Sequence, residues 1–322
     1  MKELNHIWVL YGGSSAEREV SLKSGKNIAA ALNAKGFHVE LFDVRAGESL
    51  MALRWETPPD MVFLGLHGTF GEDGTIQGYL ESIKVPFVGS PSFSSALCFD
   101  KITTKLLLHS TGIPCIPSFH LFSEKDLDSF LSDPKIEAEL STKRYFVKAS
   151  RQGSSIGAYR YDPRAHQEPL LEFRRLCYEA FRFDSRILIE EWVEGTELTV
   201  TVLNGKALPV VEICPKEDFF DYEHKYTKGK SDYFCPARID AEVFERIQFY
   251  AERAYTILGN QDYCRMDFLL DKEGQPFALE MNTLPGMTDT SLTPMAAKAI
   301  GMDYPSFLKE LVLSSYRRQK VL

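Results

Sequence analysis

Two short apolar runs near the end of the chain flank a Gly-containing turn and constrain the fold more than any other stretch. Tyr263-Cys264-Arg265-Met266-Asp267-Phe268-Leu269-Leu270 is followed by Asp271-Lys272-Glu273-Gly274 and then by Gln275-Pro276-Phe277-Ala278-Leu279-Glu280-Met281-Asn282. The pattern reads as a β-hairpin. Side chains alternate faces along a strand, so Arg265 and Asp267 share one face of the first strand, and Glu280 and Asn282 share one face of the second. With those faces matched, three oxygen ligands and one guanidinium converge. Hard oxygen donors without His or Cys suit magnesium or manganese, and so few protein ligands leave room for waters and substrate phosphates. Any one of these residues alone reads more simply as part of a polar outer face. All four together, ahead of the turn-rich Thr283-Leu284-Pro285-Gly286, favour the metal reading.

At the other end, Ile7-Trp8-Val9-Leu10-Tyr11 reads as a buried strand and Gly12-Gly13-Ser14-Ser15 as a turn. Residues 16 to about 35 read as a helix that Ser15 is placed to cap. Val39-Glu40-Leu41-Phe42 and Met61-Val62-Phe63-Leu64-Gly65-Leu66 add strands. Continuous apolar strands joined by helices indicate an open parallel sheet with helices on both faces. Ligands of such sheets sit beyond the strand carboxyl ends, where residues 12–19 and 67–74 form polar loops. No Gly-x-Gly-x-x-Gly follows the first strand, so the dinucleotide fingerprint is absent. Glu17 stands at the helix start, where a carboxylate either compensates the dipole or holds a substrate ammonium. His67, on a Gly-rich loop after a strand, leans modestly towards function.

The 322 residues suffice for two or three domains. A composition 44% hydrophobic and 25% charged allows a sizeable core. The formal charge of -8 argues against a nucleic-acid partner, whose footprint would be basic. Six scattered Cys with no Cys-x-x-Cys fit reduced thiols and a cytoplasmic location. The apolar run at residues 7–11 is too short for a signal peptide, and no run approaches membrane-spanning length, so no membrane partner is expected.

Residues 94–110 read as one helix carrying Asp100-Lys101, ended by Ile113-Pro114-Cys115-Ile116-Pro117. A second, mixed domain follows. Its strand Arg144-Tyr145-Phe146-Val147-Lys148 leads into Arg151-Gln152-Gly153-Ser154-Ser155-Ile156-Gly157. A Gly- and Ser-rich loop presents backbone N–H groups and hydroxyls, a natural nest for phosphate oxygens. It is not a Walker A loop, because no Gly-Lys-Ser/Thr follows. It also fits the Gly-x-Ser-x-Gly nucleophile elbow through Ser155, but that motif needs strand, turn and helix, and Ala158-Tyr159-Arg160-Tyr161 reads as another strand. Further on, Arg186-Ile187-Leu188-Ile189-Glu190, the turn Glu191-Trp192-Val193-Glu194-Gly195 and a strand from Glu197 are placed to meet an adenine edge, with Glu197 on ribose hydroxyls. Alone, this stretch is simply an acidic turn. Residues 218–230 form a polar, aromatic loop of the kind that acts as a lid. Residues 242–258 are an amphipathic helix, and residues 304 to about 318 a final one.

Arg265-Met266-Asp267 with Glu280-Met281-Asn282, the Gly-Ser-Ser loop and Glu194-Gly195-Thr196-Glu197 together resemble an ATP-grasp ligase. Gly12-Gly13-Ser14-Ser15-Ala16-Glu17-Arg18-Glu19-Val20-Ser21 resembles the N-terminal signature of D-alanine–D-alanine ligases, as does Leu66-His67-Gly68 with Gly71-Glu72-Asp73-Gly74. Glu280-Met281-Asn282-Thr283-Leu284-Pro285-Gly286-Met287-Thr288, then Ser291-Leu292, is similar to the end of that family. The likeness is collinear over nearly the whole chain.

The resemblance implies an α/β protein, α+β overall. It implies a Rossmann-like substrate domain over residues 1–98, a central ATP-grasp subdomain over 99–189 and a C-terminal ATP-grasp subdomain with the metal site over 190–322. The implied reaction activates one D-alanine carboxylate as an acyl phosphate at the expense of ATP; the amine of a second D-alanine then displaces phosphate, giving D-alanyl-D-alanine for peptidoglycan precursors. By the same resemblance Glu17 binds the first ammonium with Ser154 and Tyr226 around it, and His67 lies near the first substrate. Asp267, Glu280 and Asn282 hold two Mg2+ or Mn2+ ions. Lys101, Lys148 and Lys225 contact phosphates, while Glu190, Glu191, Val193 and Phe219 surround adenine and Glu197 the ribose. Arg265 and the Gly286 N–H form an oxyanion hole. Ser291 and Leu292 line the second substrate's carboxylate site. Family habit implies a homodimer.

The chain departs from the family at Gln152, where many relatives carry Glu, at Thr290, where a His is frequent, and at Phe70. Loss of a carboxylate at residue 152 makes the phosphate loop less negative, so ATP affinity no worse than usual is expected. Relatives that prefer D-lactate commonly lack Tyr at the place of Tyr226, so Lys225-Tyr226 favours an amine nucleophile. The alternatives are D-lactate or D-serine as second substrate, a serine hydrolase built on Ser155, and a nucleotide-binding module without catalysis.

Overall fold

The computed structural model describes residues 4–45, 55, 57–216 and 231–320. Among these residues the strands assemble into three sheets. The first holds β1 (His6–Tyr11), β2 (His38–Asp43), β3 (Met61–Leu64) and β4 (Phe87–Val88), all parallel, in the order β2-β1-β3-β4. The whole of β3, and β1 from Ile7 to Leu10, is buried, as expected of parallel strands covered on both faces. Across the Trp8 side, Phe42, Trp8, Trp55 and Tyr79 form an aromatic chain with ring centroids 4.5, 5.1 and 5.8 Å apart.

The second sheet is antiparallel and holds β5 (Ser118–Leu121), β6 (Tyr145–Ala149), β7 (Ala158–Tyr161) and β8 (Ile187–Glu191) in the order β5-β8-β6-β7. The third holds β9 (Gly195–Leu203), β10 (Lys206–Ala207), β11 (Val211–Pro215), β12 (Ser231–Phe234), β13 (Tyr263–Asp271) and β14 (Pro276–Asn282). Its order is β12-β11-β9-β13-β14, with β10 on β9. The expected hairpin is β13–β14, with Arg265 opposite Asn282 and Asp267 opposite Glu280. Alternation works as read: Cys264, Met266 and Phe268 are buried in the core under the helix Ala241–Ile257, while Arg265 and Asp267 lie on the other face.

Three local expectations change. The single helix over residues 94–110 is two helices, Ser92–Phe99 and Lys101–Ser110, broken at Asp100. Asp100 accepts from Thr103 N–H (3.2 Å) and Ser150 Oγ (2.7 Å) and pairs with Arg186. An Asp side chain that competes for backbone donors suits a cap rather than a helix interior. Ser15 does not cap the first helix, Arg18–Ala34; Glu17 holds that position without a side-chain cap bond. The Ser15 hydroxyl instead donates to the His67 carbonyl at 2.7 Å. Helices Thr75–Ser82, Pro134–Leu140 and Leu292–Ala299 are additions; the second begins with a cap-and-proline signal, Asp133-Pro134, that is legible in the sequence.

The end of the chain returns to the beginning. Leu284, Met287, Phe307, Leu308 and Leu311 are buried in the core of the first sheet. Buried Asp262 accepts two bonds from Arg318 (3.0 and 2.9 Å) and one from the Gly89 N–H (2.8 Å). This return brings the residues after β14 against the loops that follow β1 and β3.

Candidate active site

Where the three sheets meet there is a cleft of about 1220 Å³. It is lined by Glu17 and His67 from the loops of the first sheet, by Lys101 at the start of the helix Lys101–Ser110, by Lys148, Ser154, Ser155, Glu190 and Glu191 from the second sheet, by Val193 from the turn that follows, and by Glu197 of β9. Arg265, Asp267, Glu280 and Asn282 come from the hairpin, and Gly286, Ser291 and Leu292 from the segment after it. Every expected site residue that is described thus faces one volume. Phe219, Lys225 and Tyr226 lie outside the described residues.

Glu17 is held at the centre. The residue is 6% exposed, and the Ser154 hydroxyl donates to its Oε1. A Cβ on Gly68 or on Gly153 would come within 2.8 Å of Glu17 Oε2 and push that carboxylate aside, and Gly68, at φ +69°, also holds a backbone conformation that favours glycine. Arg18 fixes the same loop through paired bonds to Asp43, at 2.7 and 2.6 Å. His67 joins the loop after β3 to the segment after β14: its Nδ1 lies 3.1 Å from the Leu284 carbonyl and its Nε2 3.1 Å from Ser24 Oγ. Burial pushes the His67 imidazole down, and the Glu72 and Glu17 carboxylates more than offset this, leaving it above its ordinary value. Burial and the nearby Glu17 charge raise the Glu72 carboxyl, against the pull of His67. Glu72 stood in a loop singled out in the sequence, but nothing local marked it as the partner of His67.

The Gly153-Ser154-Ser155-Ile156-Gly157 stretch is the hairpin turn between β6 and β7. That is not strand–turn–helix, so the nucleophile-elbow reading of Ser155 fails on geometry. Ser154 and Ser155 both have positive φ, 49° and 62°, in a turn with the character of an anion nest. Lys101 Nζ donates to the Gln152 carbonyl (2.6 Å) and stands 3.3 Å from Glu280, tying this turn to the hairpin.

Behind Lys148 lies a charge cluster that the sequence did not reveal. The Glu190 carboxylate is 3% exposed and pairs with both Lys148 and the equally buried Lys105. Burial pushes the Glu190 carboxyl up, and the two ammonium groups more than reverse this, holding it at about 2. Burial lowers Lys148 and its pairing with Glu190 raises it, with a net upward shift. Glu190 therefore spends its side chain on lysines, and any contact it makes with a base falls to its backbone. Sequence reasoning also missed Trp192, whose ring lies 4.6 Å below the Arg144 guanidinium and 5.1 Å from that of Arg160. An aromatic residue at a strand end reads as packing, and only the cleft exposes its position.

On the hairpin face, Arg265 donates to Asp267 through Nε and Nη2, at 2.8 and 2.7 Å. Asp267 also accepts from Thr199 Oγ1 (2.6 Å) and Asn282 Nδ2 (3.0 Å). Asp267 and Glu280 are thus each matched with a cation of the protein, Arg265 and Lys101 respectively. Two carboxylates and a carboxamide, with no nitrogen or sulfur ligand among them, fit a hard divalent ion. At the end of the segment, Ser291 Oγ accepts from the Thr288 N–H at 3.0 Å. A Cβ on Gly286 would lie 3.2 Å from that same hydroxyl.

A match to the family model described as D-ala D-ala ligase C-terminus spans residues 107–313, and one to D-ala D-ala ligase N-terminus spans residues 45–90. The chain belongs to the D-alanine–D-alanine ligase family. A D-alanine–D-alanine ligase of Methylacidiphilum infernorum is 42% identical over 98% of this chain and 97% of its own. That of Aquifex aeolicus is 40% identical over 95% and 99%. Among solved structures, the Bacillus anthracis ligase complexed with ATP superposes with a TM-score of 0.83 at 30% identity, covering 99% of both chains. The VanG D-Ala:D-Ser ligase of Enterococcus faecalis superposes with a TM-score of 0.81 at 30% identity, covering 97% of this chain and all of that one. Members of this family are ATP-dependent ligases of ATP-grasp fold, as the hairpin and Gly-Ser-Ser turn imply. Among the described residues no helix is long and apolar enough to cross a membrane.

Proposed function

We propose that this protein joins two D-alanines into D-alanyl-D-alanine through an acyl phosphate, with ATP as phosphoryl donor. The product serves peptidoglycan precursor synthesis in the cytoplasm. The observation that carries this reading is the contact of Ser154 with Glu17. It joins a buried carboxylate suited to an amino-acid ammonium to a turn suited to phosphate, beside an acidic hairpin face.

In this reading Glu17 binds the ammonium of the first D-alanine, and His67 keeps the wall of that subsite in place through Leu284. Lys101 and Lys148 face the phosphates. Glu190, Glu191, Val193 and Phe219 belong to the adenine subsite in this reading, with Glu197 on the ribose and Lys225 on a phosphate. Asp267, Glu280 and Asn282 would hold two Mg2+ or Mn2+ ions, which supply charge neutralisation of the transferring phosphoryl group. Arg265 and the Gly286 N–H stabilise the oxyanion formed when the second amine attacks. Ser291 and Leu292 receive the second carboxylate, and Tyr226 stands with Ser154 in the group around Glu17 and the first ammonium. We also assign the division at residues 98 and 189 and a homodimeric assembly to this reading.

The test is phosphate release with ATP and magnesium, comparing D-alanine with L-alanine, with mass detection of the dipeptide. D-Alanine is expected to give phosphate and dipeptide in equal amounts, and L-alanine neither. Nucleotide binding with no D-alanine-dependent phosphate release would sink the proposal. Because one structural neighbour is a D-Ala:D-Ser ligase, D-serine and D-lactate belong in the same assay as second substrates. Tyr226 predicts that D-alanine outcompetes D-lactate, and that Tyr226→Phe narrows the margin.

A further inference from the structure

The entry ends of β1 and β2 carry a second group of metal-ligating side chains, at the opposite end of the first sheet from the cleft. In the parallel register His6 lies beside His38, and Trp8 beside Glu40. Residues two apart on a strand face the same side, so His6, Trp8, His38 and Glu40 share one face. The two imidazole rings are 5.1 Å apart and tilted by 31°. Glu40 Oε1 lies 2.5 Å from His6 Nε2 and 3.9 Å from His38 Nε2. One ligand atom from each of the three residues lies within 4.8 Å of the others.

The Trp8 indole N–H donates to His6 Nε2, 3.1 Å away, and holds that ring beside Glu40. An ion bound through Nε2 takes over the lone pair that the indole uses, so loading the site displaces this hydrogen bond. The side chains of His38 and Glu40 are 66% and 45% exposed, so an ion reaches them from solvent.

We propose that His6, His38 and Glu40 form a surface site for a divalent ion of the zinc, nickel or copper kind, clipping the edge strand β2 to β1. Two imidazoles and one carboxylate suit these ions, whereas magnesium demands an octahedron of oxygens. The site is thus chemically distinct from the all-oxygen set in the cleft. Zinc ligands ~2.0–2.1 Å from a tetrahedral ion stand about 3.4 Å apart, so modest side-chain rotation suffices to bring the three onto one ion, with solvent completing the shell.

The experiment is equilibrium dialysis of untagged full-length protein against zinc in excess magnesium. His38→Ala is expected to retain one zinc per chain fewer than the native protein, and Glu40→Gln to hold that ion more weakly. Neither residue touches the cleft, so both variants are expected to keep the native rate of ATP-dependent phosphate release. Zinc is also expected to raise the melting temperature of the native protein and not that of His38→Ala. Equal zinc stoichiometry in the native and His38→Ala proteins, or no zinc retained by the native protein, overturns the proposal.

Discussion

Arg265→Met is expected to lower kcat by about 10²–10³-fold while leaving the KM for ATP within a few-fold of native. The guanidinium lies on the cleft face of β13, held by two bonds to Asp267. Charge on the attacked carbonyl oxygen develops only in the transition state, so a donor aimed there acts on kcat rather than on substrate binding. Arg265→Lys restores the charge but not the fork that grips Asp267, and is expected to recover only part of the loss. Steady-state phosphate release and dipeptide yield across an ATP series make the measurement. Full turnover in Arg265→Met, or a defect confined to the KM for ATP, would remove Arg265 from this role.

Glu190→Gln is expected to destabilise the protein by about 3–5 kcal/mol at neutral pH, because it strands the buried Lys105 ammonium, and the partly exposed one of Lys148, without their counter-charge. Lys148 faces the cleft and Lys105 does not; both lean on this one carboxylate. The KM for ATP is expected to rise as well, since Lys148 loses the partner that orients it. The pH dependence has a definite sign. The Glu190 carboxyl sits at about 2, against an ordinary 4.5. A lowered folded-state value means that the stabilisation is fully present above the unfolded-state value and is lost as pH falls through the folded-state one. The stability gap between native and Glu190→Gln proteins should therefore narrow on acidification from about 4.5 towards 2. Urea midpoints at neutral and acid pH test this, and a gap independent of pH would mean that the ion cluster is not its source.

Much of this site is legible because its parts are local. Strand alternation alone put Arg265 and Asp267 on one face and Glu280 and Asn282 on one face, and the register of β13 and β14 sets those faces together. The polar loops after β1 and β3 follow from where parallel strands end. Errors fell where a side chain answered to a distant partner. Asp100 interrupts its helix because it binds Ser150 and Arg186, far along the chain. The Ser15 oxygen accepts from the Glu17 N–H at 3.2 Å, ahead of the helix, while its hydroxyl holds the distant His67 carbonyl.

The chain's own residue order was enough to specify the hairpin, the serine turn, the parallel sheet and the family, since each is written in patterns of a few neighbouring residues. Tertiary structure alone decided that Ser154 reaches Glu17 across 137 positions, that Glu190 is shared between Lys105 and Lys148, and that His67 leans on the segment after the hairpin. Such contacts carry no local signature. They depend on how three sheets pack, and ion pairing, against the pull of burial, keeps Glu190 and Lys148 charged at the cleft wall.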